Sequence, residues 1–221
     1  AKVLIVGVGG LGNPVSLYLA AAGIGTLYLA DGDRIELSNL PRQIQFIEQD
    51  INQNKADTAA EKLSAQFPDC EIEAIDDMLD QELCDYYLPQ VDLVLDCSDN
   101  IKTRYLINQA CVTHKVPLVI GAATGFDGQQ LVVDPRDESS ACYHCLFPSS
   151  EKAPANNCQT IGILGPVLAI IAGMQALQAI KLLTGNNAQI NQLNLFDGLT
   201  NKWQQFNMKK QENCTVCSGE I

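Results

Sequence analysis

The segment Gly7-Val8-Gly9-Gly10-Leu11-Gly12 follows directly on the apolar run Lys2–Val6 and opens a small-residue stretch reaching Ala22, after which Gly25–Ala30 is apolar again and ends at Asp31. A strand, a glycine turn, a helix and a second strand make a β-turn-α-β unit, and its two strands belong in a parallel sheet. Each glycine has a reason: Gly7 permits the tight turn, Gly9 removes a side chain where backbone must approach a phosphate, and Gly12 lets helix and strand pack closely. Asp31, at the end of the second strand, is placed to accept hydrogen bonds from ribose hydroxyls. The pattern favours an adenosine nucleotide over a purely structural glycine turn. No G-x-x-x-x-G-K-[ST] segment is present, so a Walker-type phosphate loop is excluded.

The same grammar continues. Glu71–Ile75, Asp92–Asp96 and Pro117–Gly121 read as strands, separated by helical stretches near Asn52–Gln66, Asp80–Leu88 and Asn100–His114. Alternation of this kind predicts a Rossmann-like, doubly wound α/β fold with helices on both faces of a mainly parallel sheet. After Gly121 the pattern changes. Gly128–Val133, Ile190–Phe196 and Lys202–Met208, the last two joined at Asp197-Gly198, predict antiparallel strands that extend the sheet. One integrated domain is expected, with residues 1–134 as a nucleotide-binding region and residues 135–221 as a metal-clamped C-terminal part. The polar, proline-containing stretch 149–160 reads as a mobile crossover loop. Ile163–Leu183 reads as a helix apolar nearly all round, a pattern that calls for burial on more than one face. Its uncharged portion stops at Met174, short of the roughly 20 apolar residues of a membrane span.

Across 221 residues the net charge is −12, and no basic stripe is visible, which argues against a nucleic-acid partner. Cys70, Cys84, Cys97, Cys111 and Cys158 show no pairing pattern, as expected of a reducing, cytoplasmic setting. The other four cysteines do show one. Cys142-Tyr143-His144-Cys145 and Cys214-Thr215-Val216-Cys217 supply two thiolates on each of two tight turns, enough for a tetrahedral Zn²⁺ shell that staples the C-terminal tail back. A pair of disulfides, or four buried thiols, is the alternative.

Ser38-Asn39-Leu40-Pro41-Arg42-Gln43 follows the ribose acid, and Lys55 heads the next helix. A dehydrogenase has no evident use for two cations beside its pyrophosphate. A nucleotidyl transferase does, because attack on an α-phosphate concentrates negative charge on the non-bridging oxygens. Arg42 suits a bidentate phosphate contact and Lys55 a point charge. In Asp96-Cys97-Ser98-Asp99-Asn100, Ser98 or Asp99 reads equally as a helix N-cap or, in the case of Asp99, as a carboxylate for Mg²⁺, with Asp96 second in line for the metal.

Taken together, GVGGLG, the Asp31-Gly32-Asp33 acids, SNLPRQ, Lys55, DCSDN, the two CxxC pairs and Gly165–Lys181 resemble the ThiF/MoeB/HesA family, relatives of ubiquitin-activating enzymes, over essentially the whole chain. That resemblance implies an adenylyltransferase that uses Mg²⁺ and ATP to adenylate the C-terminal glycine of a small ubiquitin-like sulfur-carrier protein ending in Gly-Gly. It implies nucleotide contacts from Gly10, Asp31, Ser38, Asn39, Arg42, Gln43, Lys55, Asp99 and Asn100, with Mg²⁺ at Asp99 and Zn²⁺ at Cys142, Cys145, Cys214 and Cys217. Asn157-Cys158-Gln159-Thr160, Leu195–Gly198 and Trp203 are more similar to the thiamine-pathway branch, with its ThiS-type carrier, than to the molybdopterin branch. There, the cysteine matching Cys158 takes up the carrier as an acyl-disulfide; a loop cysteine without chemistry is the other reading. The family also shares an arginine across a homodimer from an N-terminal R-Y-x-R-Q-like segment, which is expected upstream of Ala1. An NAD- or FAD-binding oxidoreductase and a catalytically silent scaffold are the competing classes.

Overall fold

A computed structural model describes residues 1–148 and 162–218. Eight strands form one sheet in the order β3-β2-β1-β4-β5-β6-β7-β8. The first five are parallel: β1 (Lys2–Val6), β2 (Thr26–Ala30), β3 (Glu71–Ile75), β4 (Leu93–Asp96) and β5 (Leu118–Thr124). The last three, β6 (Asp127–Val133), β7 (Gln192–Asp197) and β8 (Lys202–Asn207), continue antiparallel. The chain leaves β1 toward β2 and β3 and returns to the other side of β1 for β4. This reversal opens a crevice between the carboxyl ends of β1 and β4, where open α/β sheets take their ligands.

Central parallel strands are apolar on both faces because helices cover both. Val3 and Ile5 of β1 join one core with Val15 and Leu19 of α1 (Gly12–Ala21), Leu63 of α2 (Lys55–Gln66) and Ile171 of the late helix. Leu4 and Val6 join the opposite core with Cys84 and Leu88, at and just beyond α3 (Gln81–Tyr87), and with Ile107 and Cys111 of α4 (Ile101–His114). The short α5 (Tyr143–Leu146) packs on α4's side of the sheet and carries the first CxxC pair.

The late helix, α6, runs Gly165–Leu183, two residues inside the expected start. Leu164 is its extended N-cap residue and Ile163 bridges to Gly125. By length and composition α6 is apolar enough to cross a membrane. Here it lies on the sheet, so closely that a Cβ on Gly128 would stand 2.4 Å from Ile171 Cγ1. Its other face leaves Ile170 and Leu177 exposed at 39% and 47%.

Two boundaries differ from expectation for local reasons. Helix α2 begins at Lys55, not Asn52, because Asn52 has φ 72° and Asn54 is the N-cap, accepting from the Asp57 amide. At the β7–β8 corner Asp197 is the last residue of β7, and its carboxylate accepts from the Leu199 and Thr200 amides, so the turn runs from Gly198 to Asn201. The crossover stretch 149–160 and Cys158 lie outside the described residues.

Candidate functional site

The glycine turn leaves β1 at the crevice, and its glycines divide by what a side chain would meet. Gly7 has φ +88° and a Cβ there would stand 2.8 Å from the Cys97 carbonyl oxygen. Gly12 would place one 1.9 Å from the Gly7 oxygen, and Gly10 one 2.5 Å from Leu168 Cδ1 on α6. Gly7 and Gly12 are required by neighbouring backbone, and at Gly10 the Leu168 side chain would have to yield. Gly9 meets no such obstacle: its nearest neighbour would be Gln43 Nε2, at an ordinary contact distance of 3.5 Å. Protein packing leaves space above Gly9, which is where a phosphate needs bare backbone.

Asp31 stands beside that turn. Its Oδ2 accepts from the Val8 amide at 2.7 Å and its Oδ1 from the Asp33 amide at 2.9 Å, so one carboxylate ties the end of β2 to the glycine turn. Burial pushes its carboxyl above the ordinary range although Lys55 and the two amides pull the other way. Each oxygen keeps a second lone pair for a ligand hydroxyl. Lys55 is buried and its Nζ donates to Asp33 Oδ2 at 2.8 Å. Asp33 is more than half exposed, so its hold on the ammonium is screened by solvent.

The SNLPRQ segment forms a short 3₁₀ turn (Leu37–Asn39) and a loop leading to Phe46. Asn39 is turned inward, and its Oδ1 accepts from the Glu36 amide at 3.2 Å. Half-buried Arg42 donates from Nη1 to the Ser38 carbonyl at 2.8 Å, leaving other N–H groups of its fork available. Ser38 is exposed. Gln43 is buried with its Nε2 beside Gly9, and among the described residues its buried Oε1 finds no hydrogen-bond partner. Asn13 of α1 holds the loop in place: its Oδ1 accepts from the Gln45 amide at 2.7 Å, its Nδ2 donates to the Val8 carbonyl at 3.0 Å, and its own carbonyl takes the Gln45 side-chain amide. Nothing in the spacing of Asn13 and Gln45 announces this contact.

At the end of β4 the structure separates the two candidate carboxylates. Asp96 is fully buried, and its Oδ2 accepts from Arg104 Nε at 2.8 Å while its Oδ1 accepts from Ser98 N at 2.9 Å and Ser98 Oγ at 2.6 Å. Fully buried, Asp96 has no exposed oxygen to offer a ligand. The N-cap of α4 is Asn100, whose side chain accepts from the Thr103 amide at 2.8 Å, so neither Ser98 nor Asp99 serves as the cap. Asp99 is exposed, and among the described residues its carboxylate enters no hydrogen bond or ion pair. A hard cation prefers such an uncommitted oxygen ligand.

Two further residues shape this neighbourhood, neither of them among the expected site residues. Arg104 is buried four residues into α4. Gln175, fully buried on α6, donates from Nε2 to the carbonyls of Asp96 at 2.9 Å and Val119 at 3.3 Å, tying the last residue of β4 to the second residue of β5. A glutamine inside an apolar helix is itself a signal, since a buried amide must find partners.

The four-cysteine cluster is assembled on the α4 side. Cys142 Sγ lies 3.9 Å from Cys145 and 3.7 Å from Cys214, Cys145 lies 3.3 Å from Cys217, and all four sulfurs fall within 4.8 Å of one another. A Zn–S bond of about 2.3 Å in tetrahedral geometry requires sulfurs about 3.8 Å apart, so the donor set fits Zn²⁺. None of the four is joined in a disulfide. Burial pushes the Cys142 and Cys145 thiols up; at Cys214 burial is outweighed by the Cys217 and Val216 amides, which bring it down to about 7. Around the sulfurs, Gln211 donates its amide N–H to Cys145 Sγ at 3.5 Å and its side chain to the Cys145 carbonyl at 2.7 Å.

The chain is similar to known proteins along nearly its whole length. It is 43% identical over 219 residues to the sulfur carrier protein ThiS adenylyltransferase of Escherichia coli, covering 99% of this chain and 86% of that protein. It is 40% identical over 221 residues to the adenylyltransferase and sulfurtransferase MOCS3 of Caenorhabditis briggsae, of which it spans 55%. A crystal structure of E. coli MccB with ATP superposes with a TM-score of 0.84 at 26% identity, covering 99% of this chain and 67% of that one. The ThiF family model matches residues 1–216, and on that extent the chain belongs to the ThiF family.

Proposed function

We propose that this protein adenylates the C-terminal glycine carboxylate of a small ubiquitin-like, ThiS-type sulfur carrier, with Mg²⁺ and ATP. The observation that carries the reading is the 43% identity to a ThiS adenylyltransferase over nearly the full chain. The crevice supports it: Gly9 gives clearance to phosphate, Gly10 offers backbone, Asp31 takes the ribose, and Ser38, Asn39, Arg42, Gln43, Lys55 and Asn100 surround the triphosphate. Asp99 would hold Mg²⁺, which when bound supplies charge neutralisation between the phosphates.

The chemistry asks little covalent work of the protein. The carrier's carboxylate attacks the α-phosphorus in line, the bond to the β-phosphate oxygen breaks, and pyrophosphate leaves with an acyl-adenylate formed. Catalysis is then positioning by the loop and charge stabilisation by Arg42 and Lys55. The four cysteines would hold Zn²⁺ as a closed structural site. A C₂ homodimer, its exposed α6 face covered through Ile170 and Leu177, and a cytoplasmic location complete the proposal.

Carrier-dependent exchange of labelled pyrophosphate into ATP tests it. Exchange is expected with a ThiS-type carrier and lost when the carrier's terminal carboxylate is capped as an amide; equal rates with the amidated carrier refute carboxylate chemistry, and no exchange at all favours an oxidoreductase or scaffold. The similarity to MOCS3 favours a second reading, the same reaction on the molybdopterin synthase small subunit, and the two carriers compared side by side decide between them.

A further inference from the structure

We infer that Arg104 is a positioning residue for the proposed Mg²⁺ site: it fixes the β4–α4 turn so that the carboxylate of Asp99 is presented to the metal. The inference rests on Asp99 being the Mg²⁺ ligand in the adenylation proposed above. Arg104 makes two hydrogen bonds to that turn and one to the neighbouring strand. Its Nε donates to Asp96 Oδ2 at 2.8 Å before the turn, and its Nη2 donates to the Ser98 carbonyl at 2.9 Å, directly preceding Asp99. The same Nη2 reaches the Gly121 carbonyl on β5 at 3.2 Å, anchoring the turn to the neighbouring strand.

Three further contacts close the frame. Ser98 Oγ donates back to Asp96 at 2.6 Å, Gln175 holds the Asp96 carbonyl from α6, and the Cys97 oxygen lies against the Gly7 turn. Behind it, the guanidinium carbon sits 5.8 Å from the ring centroid of Tyr143, the residue after Cys142, so the segment carrying the first cysteine pair backs the arginine. Asp99 is exposed on this turn, and unlike its neighbour Asn100, whose side chain caps α4, its carboxylate enters no hydrogen bond among the described residues. A buried ion pair is often no better for stability than apolar residues of equal volume, so stability alone is a weak reason for Arg104. A metal ligand's orientation, by contrast, depends on the groups behind it.

The test uses Arg104→Lys, which keeps a cation for Asp96 but loses the fork onto the Ser98 and Gly121 carbonyls. Ser98→Ala accompanies it, deleting one hydrogen bond without stranding a charge. ATP binding by calorimetry across a Mg²⁺ series and carrier-dependent pyrophosphate exchange are both measured. Arg104→Lys is expected to raise the Mg²⁺ concentration for half-saturation about 10-fold, as loss of a group behind a metal ligand commonly does, with the rate at saturating Mg²⁺ nearly retained. Ser98→Ala should move in the same direction by less, and it carries the test if the lysine variant does not fold. An unchanged Mg²⁺ requirement in folded variants, whatever their stability, overturns the inference, as does failure of the wild type to bind ATP. Mg²⁺-dependent ATP binding that shifts as expected, in a wild type without exchange, sinks the adenylation reading and leaves the positioning role standing.

Discussion

Gly9→Ala separates the glycine kept for a ligand from those kept for the fold. At Gly9 the added methyl meets only Gln43 Nε2, at 3.5 Å, and the backbone has no positive φ. A compatible Gly→Ala change restricts the unfolded chain and stabilises by about 0.4–1 kcal/mol. At Gly10 the methyl would sit 2.5 Å from Leu168 Cδ1, and at Gly12 it would sit 1.9 Å from a carbonyl oxygen. Overpacking costs about 1–3 kcal/mol where a side chain can yield, as Leu168 can, and more where backbone must move. Gly9→Ala should therefore unfold in urea at or slightly above the wild-type midpoint, while Gly10→Ala unfolds earlier and Gly12→Ala earliest. ATP affinity should invert the first comparison: a methyl in the phosphate approach should weaken binding at least about tenfold, or about 1.4 kcal/mol. Paired denaturation and calorimetric ATP titrations measure both quantities. Wild-type ATP affinity in stable Gly9→Ala would refute the reasoning, and so would a destabilisation of Gly9→Ala as large as that of Gly12→Ala.

Asp31→Asn should lose about 1–3 kcal/mol of stability, because an amide NH₂ must face one of the two backbone N–H groups that the carboxylate now satisfies. Since burial raises the Asp31 pKa in the folded state, the native form holds its proton more tightly than the unfolded chain; Asp31's contribution to stability then falls as pH rises from the unfolded to the folded value and is flat above it. Denaturation of wild type and Asp31→Asn across acidic pH checks that sign. Arg42→Ala, Lys55→Ala and Asp99→Ala should each stay folded and lose pyrophosphate exchange by about 10² or more; wild-type exchange in Asp99→Ala removes that residue from the metal role. Metal analysis should find one Zn²⁺ for each four-cysteine cluster, and Cys214→Ser or Cys217→Ser should expose the tail to protease before nucleotide binding weakens. Chelator-free protein devoid of zinc sinks that expectation.

The motifs that could be read directly are those whose chemistry is local. A glycine turn between two apolar strands dictates a βαβ unit, Asp31 falls at the strand end by chain order, and two CxxC turns carry their own ligand spacing. Each of these signals is written within a few residues, so the strands and the two cysteine turns are legible locally, although pairing the strands and closing the cysteine cluster bring together segments far apart in the chain. Other roles arise only when distant segments meet. Asp96 and Asp99 look alike in DCSDN until Arg104, eight residues on from Asp96, claims the first and Asn100 takes the cap. Gly9 differs from Gly10 only because α6 brings Leu168 onto one and not the other. Gln175 reaches carbonyls on β4 and β5 through a crossing that periodicity does not encode. Burial, and the competition among polar groups for the few partners that burial leaves, decides which of several plausible side chains remains open to a ligand.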